Sequence, residues 1–163
     1  MLDENTALGR YISTGQLALI REGYYLIDDI KHHVPTNPVT DYSYLVFPFA
    51  KAYEGFLKQL FLDLGFIKIW QYESDHFRIG KELSPGLAKE LKQRSIYTQL
   101  GHKFGNFELA DKLWLMWKRG RNMIFHYFPH NLKAVTLVEA ENIVEELMSV
   151  MQEAVEKSGV GKT

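Results

Sequence analysis

The chain has 163 residues, a length that suits one domain around one core. Hydrophobic residues make up 46%, aromatic residues 13% and charged residues 24%, which supports a packed interior and argues against global disorder. The absence of cysteine excludes structural disulfides and thiolate metal sites, and a net charge of −1 excludes a general nucleic-acid coat, so RNA contact has to come from a local basic patch or from one doubled by dimerisation.

The opening residues, Met1-Leu2-Asp3-Glu4-Asn5, lack the basic and apolar regions of a secretory signal. No apolar run approaches the roughly 20 residues that a membrane span needs. A cytoplasmic protein with no membrane partner is the expectation.

The first helical pattern covers residues 11–33, where Leu17, Ile20, Tyr24 and Ile27 recur at steps of three and four. It stops before Pro35-Thr36-Asn37-Pro38. The second covers 39–64, with Val46, Ala50, Tyr53, Leu57, Leu60 and Leu64 on one stripe and Gly65 as its stop. Pro48 inside it predicts a kink or a restart. Residues 66–106 are less regular and read as a long connection punctuated by Gly80, Gly86, Gly101 and Gly105. Ser84-Pro85 marks a helix start there, and a brief hairpin over 66–79 is also compatible with the pattern.

The third long pattern covers 107–128, with Leu109, Leu113, Met116, Gly120, Met123 and Tyr127 on one stripe, and Pro129 beyond it. Gly120 costs about 1 kcal/mol of helix propensity against alanine, which marks a close backbone approach. The fourth starts at Thr136, where Glu139 completes a capping box, and buries Ala140, Val144, Leu147, Met151 and Ala154 before Ser158-Gly159. The chain therefore reads as all-α: four main helices in an antiparallel bundle, with short extra helices in the central connection. Residues 1–157 form the domain and 158–163 a flexible tail.

The chemistry-bearing segment lies late in the third helix, where Lys118, Arg119 and Arg121 precede Asn122 and His126. At helical spacing Asn122 and His126 share a face, while Arg121 lies about 140° from His126, within reach of a long side chain. A neutral imidazole can take the proton of a ribose 2′-hydroxyl, and an imidazolium can give one to a leaving oxygen. An arginine can hold the phosphate and the charge that develops on it. This chemistry calls for no metal and no cofactor. The competing reading is a cationic helix end whose histidine complements the helix dipole. On the second helix, Lys51, Glu54 and Lys58 occupy a non-core stripe, which also fits a solvated face, and Asp41 also fits a helix cap. Trp114, Trp117 and Phe128 suit a core, a base-stacking surface or an interface.

The string Arg121-Asn122-x-x-x-His126 resembles the signature of the HEPN superfamily of ribonucleases, Arg-x(4–6)-His with a polar residue after the arginine. The upstream run from Asp41 through Lys51 to Glu54 is similar to a helix of the RNase LS-type branch, which includes the toxin of a phage-defence toxin–antitoxin system. The resemblance spans roughly residues 10–155, with specificity confined to these two helices. It implies a HEPN-like bundle, metal-independent RNA cleavage and a homodimer in which two Arg/His motifs meet. It further implies Arg121, His126 and Glu54 as catalytic residues, with Asn122, Lys51, Asp41, Arg119 and Lys118 supporting them or binding RNA. Lysine stands at 51 where the family toxin has arginine, which removes bidentate phosphate binding at that position. A toxin or phage-defence role, with a protein antitoxin or inhibitor as partner, is implied on the same basis.

Two other signals lead elsewhere. The terminal Ser158-Gly-Val-Gly-Lys-Thr163 imitates the end of a P-loop, but Glu156 stands where its first glycine belongs and no helix can follow. His126 and His130 are four apart, yet Pro129 intervenes and no third ligand is spaced to join them.

Overall fold

The computed structural model describes residues 2–33 and 38–161. Of the breaker before the second helix, residues 35–37 lie outside them, as do Lys162 and Thr163 at the tail. The described chain is all-helical with no strand, and none of its helices is long and apolar enough to cross a membrane.

The first pattern resolves into two helices, α1 (Ala7–Tyr11) and α2 (Thr14–His32). The break comes from a capping box: Ser13 accepts the Gln16 N–H, and Gln16 accepts the Ser13 N–H. Helix α3 (Ser43–Asp63) follows, and it runs through Pro48 without a restart. Its end is a Schellman turn, in which the Phe66 N–H reaches the Phe61 carbonyl at 2.9 Å and Gly65 takes the left-handed conformation at φ 75°. Gly65 therefore acts as the expected stop.

The central connection holds α4 (Ile69–Tyr72), α5 (Ile79–Glu82), α6 (Ala88–Leu91) and α7 (Ile96–Phe104). The hairpin allowed over 66–79 is absent, because Gln71 folds back to accept the Lys68 N–H at 2.9 Å and closes a helical turn instead. Pro85 does open a helical turn after Ser84. Two glycines read as punctuation are interior helix positions chosen for space. A Cβ on Gly101 of α7 would stand 2.2 Å from the Phe107 ring, and one on Gly80 of α5 would stand 2.3 Å from the Trp117 indole nitrogen.

The third pattern becomes α8 (Glu108–Met116), a π-helical turn (Trp117–Asn122) and α9 (Met123–Phe125). It ends three residues short of the expected Phe128, so Tyr127 is 79% exposed and leaves the buried stripe. Helix α10 (Leu137–Ser158) carries the expected Thr136–Glu139 capping box and buries all five expected residues of its inner face. Gly159 closes it at φ 68°, and Val160 packs against the core.

Helix α3 is central, packed on α2, α10, the π turn and α9. Its Tyr53, Phe56, Leu57, Leu60 and Phe61 are fully buried. That burial fixes the axis from which Lys51, Glu54 and Lys58 project.

Candidate functional site

The site is built on the π turn. Such turns take in one extra residue and recur at functional sites. The Met123 N–H bonds the carbonyl of Lys118, five residues back, while the Trp117 N–H is shared by the carbonyls of Leu113 and Trp114. The buried Tyr53 hydroxyl donates to that Leu113 carbonyl at 2.8 Å, so α3 props the helix where its hydrogen-bond ladder changes step. A Cβ on Gly120 would stand 2.8 Å from the Leu147 side chain, and the close approach expected at Gly120 is therefore with α10.

The three cations of this segment turn in different directions. Arg119 pairs with Glu146 of α10. Lys118 is exposed and lies over the Trp114 ring at 5.8 Å. Arg121 faces α3, where its Nε donates to Glu54 Oε2 at 3.3 Å and its Nη1 donates to Asn122 Oδ1 at 3.3 Å. Its guanidinium lies 5.1 Å from the centroids of both the Trp117 and Phe125 rings. Lys118, Arg119 and Arg121 thus do not form one patch. Each contact to Arg121 is worth only about 0.5–1 kcal/mol at a half-exposed site. Together they hold a planar, permanently charged group in one orientation, the property that phosphate recognition needs.

His126 lies just beyond α9 in an extended conformation (φ −117°, ψ 127°) and is exposed. The shared helical face expected for Asn122 and His126 is therefore not formed. Phe125 seats on Phe47, with ring centroids 4.8 Å apart, and Phe128 is extended ahead of Pro129, so the chain between them straightens. Glu54 contacts Arg121 and makes no hydrogen bond to His126. His130 adopts a left-handed conformation at φ 59°, and no group of three or more metal-ligating side chains occurs among the described residues.

Asp41 works as a brace. Its Oδ1 accepts from the Ser43 N–H at 2.8 Å, the Ser43 hydroxyl at 2.6 Å and the Val135 N–H at 3.2 Å, tying the start of α3 to the segment before α10. Burial acts to raise its pKa, but the hydrogen bonds from Ser43, Val135 and Asn131 outweigh burial and hold the carboxyl below its ordinary value of 3.8. A carboxylate with a depressed folded pKa stabilises fully above the unfolded value, and that contribution is lost as pH falls through the folded one. Asp41→Ala is expected to cost about 1–3 kcal/mol at neutral pH. Urea titrations across pH should show the deficit shrinking in acid below the ordinary aspartate range. Lys51 is exposed and Lys58 donates to the Tyr72 carbonyl at 3.4 Å, so within the stripe Glu54 alone meets the arginine.

Two further cations, not legible in the sequence, join Arg121 here: a cleft of about 280 Å³ lies between α3, the π turn and α5, and Arg78 and Lys81 line it together with Glu54 and Arg121. No spacing signal links residues 78–81 to 121, because tertiary packing alone joins them.

No protein-family model, curated protein or solved structure matches the chain.

Proposed function

We propose that this protein is a metal-independent endoribonuclease of the HEPN type, related to the RNase LS branch and acting on single-stranded RNA. The observation that carries the reading is Arg121, held by Glu54 and Asn122 between two aromatic rings, beside a cationic cleft and shortly before an exposed histidine. In the proposed reaction the 2′-hydroxyl oxygen bonds to the adjacent phosphorus and the bond to the 5′-oxygen breaks. Arg121 offsets charge on the phosphoryl oxygens. His126 takes the 2′-proton or supplies one to the leaving oxygen, leaving 2′,3′-cyclic phosphate and 5′-hydroxyl ends.

One proton has to be removed and one delivered, and a second copy of the chain would bring a second His126. A homodimer is supported by the apolar surface around this segment, where Phe47, Phe125, Tyr127 and Leu132 are exposed. A toxin or defence role with a protein antitoxin or inhibitor rests on the resemblance alone.

The second reading is a non-catalytic RNA-binding or protein-interaction bundle. The position of His126 favours it, since this residue does not line the cleft beside Arg121. Incubating single-stranded RNA with the protein in EDTA separates the two readings. Cleavage with cyclic-phosphate ends is the expected result, whereas binding without turnover across the pH range supports the second reading.

A further inference from the structure

We propose that the cleft between α3, α5 and the π turn is a nucleotide-phosphate subsite whose outer wall is Arg78 and Lys81. The inference rests on the ribonuclease reading for its substrate, but its geometry stands apart from the cleavage step. Three cations line the cleft, and Glu54, already bonded to Arg121, is its one carboxylate. Arg78 Nη1 donates to the Asp75 backbone carbonyl at 2.7 Å, and Arg78 forms no ion pair among the described residues. Lys81 is exposed and forms no ion pair among the described residues. An excess of positive charge concentrated in a concave site attracts an anion.

Gly80 accounts for the arrangement. It lies between Arg78 and Lys81 in sequence, and its missing Cβ lets α5 settle against the Trp117 indole. The Trp117 ring in turn lies against the Arg121 guanidinium. The contact that seats Gly80 therefore brings two further cations to the cleft that Arg121 lines. A volume of about 280 Å³ is just under the roughly 300–1,000 Å³ of small-molecule pockets, which suits a single nucleotide unit.

The test measures binding of a labelled 2′-O-methyl single strand, which cannot be cut by 2′-hydroxyl attack. Wild type is compared with the Arg78→Ala/Lys81→Ala double variant and with Lys89→Ala/Lys92→Ala as a control on exposed lysines outside the cleft. The first double variant is expected to bind at least tenfold more weakly, with its salt slope reduced by about 1.4 for two lost phosphate contacts. The control should stay within twofold of wild type. Competition by adenosine 5′-monophosphate assigns the subsite to a free nucleotide phosphate, and its absence to a phosphodiester of the strand. Unchanged affinity in Arg78→Ala/Lys81→Ala, an equal loss in the control, or no binding by wild type overturns the proposal. A wild type that binds through Arg78 and Lys81 but cuts no ribose strand removes the ribonuclease reading and keeps the subsite. Cleavage and binding that survive Arg78→Ala/Lys81→Ala keep the ribonuclease reading and remove the subsite.

Discussion

His126→Ala is expected to lower RNA cleavage by roughly 10²–10⁴-fold, the usual contribution of a positioned acid or base. The side chain is exposed and outside any helix, so the folded protein should survive the change with its unfolding transition unmoved. Arg121→Ala is expected to cost roughly 10²–10³-fold through lost stabilisation of developing phosphoryl charge. Arg121→Lys is the sharper comparison. Lysine keeps the charge but cannot present a planar fork to a phosphate or stack between Trp117 and Phe125, so little activity should return. The two effects should not add, as expected of residues proposed to serve one step. Single-turnover rates on a defined strand check this, and full activity in both alanine variants would remove these residues from the reaction.

Phe56→Ala is expected to be the most destabilising of the changes considered. Phe56 is fully buried on α3, its ring edge-on to Tyr11 at 6.0 Å and stacked with Tyr53 at 6.4 Å. Truncating a buried aromatic forfeits its transfer energy and leaves a cavity, about 3–5 kcal/mol in all. For a domain of this size that lowers the melting temperature by roughly 6–20 °C. Lys51→Ala on the same helix is the control, since its exposed side chain should change stability by no more than about 0.5 kcal/mol. Urea unfolding measures both. The contrast would show that α3 stabilises the protein through one face and presents Glu54 from another.

The parts of this fold that were legible in the sequence are those fixed by local chemistry. The Thr136–Glu139 box, the Gly65 stop and the buried stripe of α10 each depend on residues a turn apart. Gly120 was legible as a close approach because a glycine inside a helix needs a reason to be there. That logic holds at Gly101 too, where the glycine makes room for Phe107 inside α7, but its irregular surroundings made it read as a break. The π turn left no distinct trace, because the spacing of Trp117, Arg121 and Phe125 suits an ordinary helix equally well. Hidden with it were the turn of Arg119 toward Glu146 and, past the Phe125–Phe47 contact, the exit of the chain from the helix before His126. The resemblance brought Glu54 to the site, but its pairing with Arg121 and not with His126 comes from the packing of α3 against the π turn. Arg78 and Lys81 were not legible, since only the packing of Gly80 on Trp117 brings them near.

In the proposed reaction Arg121 and His126 serve cleavage by the RNA's own 2′-hydroxyl. The most direct measurement uses EDTA and two strands that differ at a single position, one all-ribose and one with 2′-deoxyribose at the scissile nucleotide. Wild type is expected to cut the first, leaving a 2′,3′-cyclic phosphate, and to spare the second. Cutting of both strands at that position, or of neither, would contradict the proposed reaction.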